Sequence, residues 1–158
     1  MSHTLWYGEQ GERVFIRACG RMSAAMCLPL RERLQQRSQS GLATEQILVD
    51  LSSCEHMDST FIGLLVGLGQ TAGLELVSPS EGSLRALEAL GLDRLLSIRR
   101  EPLAWSGSLA PLPGSEATRE LILESHEQLM RISEENRERF SAVRDLLKKK
   151  RNADSPPG

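Results

Sequence analysis

Asp58, Ser59 and Thr60 put a carboxylate and two hydroxyls side by side, immediately ahead of the apolar run Phe61-Ile62-Gly63-Leu64-Leu65. A serine hydroxyl becomes a nucleophile when a base takes its proton, and it can also carry a phosphoryl group. For nucleophilic catalysis the surroundings are poor. His56 lies three residues upstream, no Gly-x-Ser-x-Gly elbow encloses Ser59, and no orienting acid can be identified in the sequence. For phosphate they are better. If Ile47-Leu48-Val49-Asp50-Leu51 is a central parallel strand and residue 59 starts a helix, Asp58 and Ser59 stand beyond the strand's carboxyl end. Free backbone N–H groups and the positive end of the helix dipole tolerate an added anion there. An Asp-Ser-Thr run before an apolar stretch is equally an ordinary N-cap, and spacing alone goes no further.

The rest of the chain offers little competing chemistry. Cys19, Cys27 and Cys54 are odd in number and form no CxxC pair, which points to buried thiols rather than a disulfide framework or a zinc knuckle. His3, His56 and His126 make no HxxxH or HExxH pair, so neither a metal nor another cofactor is expected, and His126 reads as a boundary packing residue. No GxxxxGK[ST] loop is present. A formal net charge of −2 gives no basic field for nucleic acid or anionic lipid. The longest apolar stretch, Phe61 to Gly69, is far below the ~20 residues that span a bilayer, so no membrane insertion is expected. The first seven residues read as the start of a strand rather than a signal peptide, which implies a cytoplasmic protein.

The elements that must position the cluster follow from periodicity. At 158 residues and 40% apolar content, the chain can hold one core plus an appendage. Residues 3–7 and 13–19 are β-prone runs joined by a glycine-bearing turn. Ser23 caps an amphipathic helix bent near Pro29, and residues 46–51 form a strand apolar on both faces. A helix then runs from Ser59 to Thr71, ended by Ala72-Gly73. Leu74 to Val77 is a strand, Ser80 or Ser83 starts another helix, and Leu95 to Ile98 is a last strand. The order ββαβαβαβ predicts an α/β fold whose first strand lies at an edge of the sheet.

Val49-Asp50-Leu51-Ser52, Met57-Asp58-Ser59-Thr60-Phe61-Ile62-Gly63-Leu64-Leu65, Leu74-Glu75-Leu76-Val77-Ser78-Pro79 and Leu87-Glu88-Ala89-Leu90-Gly91-Leu92 occur in this order. Together they resemble the STAS family of anti-sigma factor antagonists over about residues 5–98. The resemblance implies a mixed sheet of four to five strands with helices mainly on one face. It also implies a phosphorylated serine directly after the motif aspartate, which here is Ser59, with Thr60 as the alternative acceptor. Met57, Asp58, Ser59, Thr60 and Phe61 would then form the partner-binding rim. The implied partners are an anti-sigma factor or switch serine kinase and a PP2C-type phosphatase. Thr60-Phe61 stands where family members often have Ser-Gly, so a large ring is expected at the partner surface. The loop Gly20-Arg21-Met22-Ser23 lacks the acidic residue often found after its glycine, and the segment from Ser59 to Gly73 is about a turn short.

Composition shifts after residue 100. The divisions expected are a STAS domain over 1–100, a Pro/Gly-containing linker or strap over 101–114 with Trp105 as its anchor, a helical extension over 115–150 and a disordered tail over 151–158. Ser133 followed by Glu134-Glu135 splits the extension into an antiparallel pair, which resembles an extension on some proteobacterial STAS proteins. Its apolar stripe must be buried against the domain, within the pair, or across a homodimer. Lys148-Lys149-Lys150-Arg151 reads as solvated charge at the negative end of the second helix. The functional expectation is a non-enzymatic binding module switched by phosphate, or alternatively a constitutive scaffold that needs none.

Overall fold

A computed structural model describes residues 3–153. Strands β1 (Thr4–Gln10) and β2 (Arg13–Met22) form an antiparallel hairpin, turned at Gly11 with φ of 59°. That left-handed backbone is one that glycine adopts without a side-chain penalty. Helix α1 (Ala24–Gln39) follows, capped by Ser23, whose hydroxyl accepts from the N–H of Ala25. Then come β3 (Gln46–Asp50), β4 (Cys54–Met57), α2 (Ser59–Leu68), β5 (Gly73–Val77), α3 (Glu81–Ala89) and β6 (Ser97–Arg99). A short β7 (Ala110–Leu112) leads to α4 (Arg119–Met130) and α5 (Glu134–Ala153).

The sheet runs β6-β5-β3-β2-β1-β7, with β4 paired beside the far end of β2. Pairings among β2, β3, β5 and β6 are parallel, and those of β1 with β2 and β7 are antiparallel. The expected STAS-like mixed sheet is therefore present as β1, β2, β3, β5 and β6, and two short strands bring it to seven. The N-terminal strand does not lie at the edge. Residues 110–112 pair with it, and Pro111, which has no N–H to give a further strand, takes the outermost position. β4 arises because β2 is ten residues long and outruns β3; a register shift at Gly20/Arg21 lets the overhang pair with Cys54–Met57.

Alternation along the strands divides the core. Val14, Ile16 and Ala18 of β2 and Ile47 and Val49 of β3 face the helices, where they meet Cys27, Leu30, Phe61, Leu65 and Leu87. Phe15, Leu48 and Val77 point the other way and are covered by Leu103, Trp105 and Leu109, with Trp105 stacked on Phe15 at 4.8 Å between centroids. The middle strands are thus apolar on both faces because helices lie on one and the 101–112 segment on the other.

Helix α2 stops at Leu68 with Gly69 as C-cap, rather than running to Thr71, because residues 69–72 make the turn into β5. The two C-terminal helices form the expected antiparallel pair. Ser133 Oγ accepts from the N–H of Asn136 at the start of α5, and α4 lies across α2 with Leu121, Leu129 and Met130 joining the main core. The apolar stripe is not buried throughout, since Val143 is 39% and Leu146 54% exposed. Helix α5 continues through 151–153, and the remaining residues of the expected tail, 154–158, lie outside the described residues.

Candidate functional site

The Asp58-Ser59 cluster is built from three chain segments. Asp50 closes β3 by accepting both the N–H and the hydroxyl of Ser52, at 2.9 and 2.7 Å, and its other oxygen takes the Arg17 guanidinium at 3.1 Å. That turn feeds β4, which runs beside the end of β2 and delivers Asp58 next to Met22, whose carbonyl accepts the Asp58 N–H at 3.0 Å. Asp58 then caps two helices at once. Its Oδ1 accepts from the N–H of Phe61 in α2 at 2.9 Å, and its Oδ2 from the N–H of Ala24 in α1 at 3.0 Å. Two orphan N–H groups from separate helices are satisfied by one carboxylate.

Ser59 is the first residue of α2 and is half-buried. Its hydroxyl lies 2.8 Å from Nε2 of His126, a residue of α4, 67 positions along the chain. The His126 ring is 5% exposed and stacks on Phe140 of α5, with centroids 5.0 Å apart and planes at 8°. Burial lowers its pKa below the ordinary 6.5, and the Asp58 carboxylate opposes that shift. His126 Nδ1 is buried with no protein partner among the described residues. A bare ring lone pair costs less there than a stranded N–H, which favours the tautomer whose proton sits on Nε2 and is donated to Ser59 Oγ.

The other rim residues point inward. Phe61 is fully buried in the core, Met57 is 2% exposed and Thr60 5% exposed. The Phe61 ring, expected at the partner surface, instead packs under the sheet-facing side of α2. Of the five residues singled out, Asp58 and Ser59 alone have partly accessible surface. His126, taken from sequence as boundary packing, is part of the site. Nothing in its local sequence could have revealed that, because its partner is reached only through the fold of the extension.

The seam between α2 and α4 is narrow. A Cβ on Gly63 would fall 2.6 Å from the carbonyl carbon of Ser125, the residue before His126. Polar pairs flank the seam: Arg31 with Glu124 at 2.6 Å, and the Gln70 amide donating to Gln128 at 2.8 Å. Between α1, α2 and α4 lies an open groove of about 440 Å³ that includes Leu34, Gly67, Leu68 and Leu121. Among the described residues there is no cluster of three or more His, Cys, Asp or Glu that could hold a metal ion, and no helix long and apolar enough to cross a membrane.

A solved structure shares this architecture. The NMR structure of TM1081 superposes with a TM-score of 0.50 at 22% identity, covering 60% of this chain and 79% of that one. The crystal structure of TM1081 from Thermotoga maritima gives 0.44 at 22%, covering 59% and 83%. The anti-sigma factor antagonist SpoIIAA in its unphosphorylated form gives 0.48 at 19%, covering 60% and 86%. A search of curated proteins returns no match. The family described as "Mlab, STAS domain" matches residues 6–97, a span that runs from within β1 to the start of β6 and holds the Asp58-Ser59 turn but stops short of α4 and α5. Over that span, well over half its length, the chain belongs to the STAS domain family.

Proposed function

We propose that this chain is an anti-sigma factor antagonist, a binding module that sequesters an anti-sigma factor or switch serine kinase while Ser59 is unphosphorylated and releases it once Ser59 carries phosphate. The observation that carries this reading is the position of Ser59 as the first residue of α2, directly after a carboxylate already committed to two helix caps. A phosphate there adds about −1.5 to −2 charges at the positive end of a helix dipole, so it alters the surface without an intrinsic conflict with the helix. Thr60, the alternative acceptor, is buried. A PP2C-type phosphatase would reset the switch, and a cytoplasmic setting is consistent with three free cysteines.

The Ser59–His126 pair supports binding rather than hydrolysis. No carboxylate among the described residues orients His126 from Nδ1, and the favoured tautomer leaves Nε2 unable to take the serine proton. The second reading, a constitutive scaffold, draws on the same contact, because the extension already occupies the Ser59 hydroxyl. Incubating the full chain with ATP and the kinase recovered by pull-down from its native cytoplasm separates the two. Phosphate mapped to Ser59 by mass spectrometry, with loss of the captured partner, is expected. Stable capture with no phosphate incorporated would leave the scaffold standing.

A further inference from the structure

Ser59 is half-buried, and the side to which its hydroxyl points is closed by a segment outside the family match. A separation of 2.8 Å between Ser59 Oγ and His126 Nε2 leaves no room for a phosphorus atom and its three oxygens on that side. The ring cannot swing out across the face that Phe140 covers, because Phe140 is stacked there. Nor can the helix back away by itself. One residue before His126 the α4 backbone rests on Gly63, and α5 is tied down by Asn136, whose amide donates to the carbonyls of Leu90 and Leu129 at 3.1 and 3.0 Å. Arg139 adds a bond to the carbonyl of Ala89 at 3.1 Å. The helical pair therefore moves as a unit or hardly at all.

We propose that the C-terminal helical pair is an intramolecular gate on Ser59: α4 seated on α2 and a phosphate on Ser59 exclude one another. With Leu121, Leu129 and Met130 in the main core, the seated state dominates, and Ser59 becomes a substrate only in a minor open state. A protein that binds the α2 face must compete with α4 for it, so its apparent affinity is reduced by the open fraction. Conversely, a phosphate installed on Ser59 holds the gate open. This rests on the Ser59 reading above only for its physiological trigger; the exclusion itself is a property of the folded chain.

The test uses the full chain with phosphoserine installed at position 59 during synthesis, so that no kinase is needed. Hydrogen exchange read by mass spectrometry should show the amides of α4 and α5 exchanging at least about tenfold faster than in the unmodified protein, with β2, β3 and β5 still protected. Unchanged protection of α4 and α5 would overturn the gate. If the phosphoprotein loses the sheet as well, a second variant decides. In Ser59→Cys, the reaction of the new thiol with a bulky disulfide reagent, corrected for Cys19, Cys27 and Cys54 in the parent, should be at least about a hundredfold slower than in urea. A thiol that reacts within about tenfold of its unfolded rate would likewise overturn it. Either result is independent of whether any kinase modifies Ser59, so the gate and the phosphorylation reading fail separately.

Discussion

Asp58 Oδ2 accepts the backbone N–H of Ala24 at 3.0 Å, joining the start of α2 to the start of α1 across 34 positions of sequence. Because Oδ1 of the same carboxylate caps Phe61, one side chain fixes the relative placement of two helices. Asp58→Ala should remove both caps and destabilise the chain by about 2 kcal/mol or more, at about 1 kcal/mol each. Asp58→Asn keeps one accepting oxygen and should cost about half as much. Urea unfolding of the two variants checks the order.

Acidification should weaken the protein through His126. Its folded pKa lies below the ordinary 6.5 because the ring is buried, with Asp58 only partly offsetting this, so the unfolded chain binds the proton first. The contribution is complete above the unfolded pKa and is lost as pH falls through and below it. Melting temperatures measured from about pH 7.5 down to about pH 5 should fall, and His126→Gln, which cannot titrate, should show the shallower slope over that window.

Two glycines one turn apart in α2 should answer oppositely to alanine. At Gly63 a Cβ meets the Ser125 backbone, which cannot yield, and Gly63→Ala should cost about 1–3 kcal/mol with faster exchange in α4. At Gly67 the nearest neighbour is the flexible Gln128 side chain at 3.8 Å, an ordinary contact. There Gly67→Ala should stabilise by up to about 1 kcal/mol through helix propensity. Denaturant midpoints of the two variants give the comparison.

Under the proposed function, Ser59→Ala should hold its partner persistently, and Ser59→Glu should fold normally but bind it less tightly, by about tenfold for each 1.4 kcal/mol lost. Thr60→Ala, altering a residue 5% exposed, should leave phosphate incorporation at wild-type level. Calorimetry with the partner recovered by pull-down, on wild type, phosphoprotein and the two Ser59 variants, gives the affinities, and mass spectrometry reads phosphate incorporation into Thr60→Ala. Equal affinities throughout would remove the switch.

How far the sequence foretold this molecule depends on the range of the interaction involved. Ser23 and Ser133 were legible as caps, and Ser80 as one of two candidates with Ser83, because a cap is satisfied by an N–H two or three residues away. The double apolar faces of β3 were legible for the same reason, being written within the strand. β4 was not, since Cys54-Glu55-His56-Met57 has buried ends and exposed middle residues, an arrangement without strand alternation that only the overhang of β2 recruits. β7 was hidden behind its proline, and the second cap made by Asp58 depends on a helix far back in the chain. At the site, Asp58 and Ser59 stood out by residue type, whereas Phe61 was misplaced because a ring in a first helical turn can face either way until the sheet is known. His126 carries no motif, and its role exists only once α4 is laid on α2.

The pairing of Leu5 with Leu112 also sets a schedule for biosynthesis. β1 leaves the ribosome well before the strand that closes its outer side, which is made roughly a hundred residues later, a delay of about 5–20 s at ordinary elongation rates. Throughout that interval the nascent hairpin presents a row of unpaired backbone groups to any neighbouring chain, the kind of template on which misassembly starts. Completion of the 101–112 segment ends that exposure before α4 and α5 are finished. The sheet is thus sealed against wrong partners first, and only afterwards is the Ser59 face covered by α4 and α5.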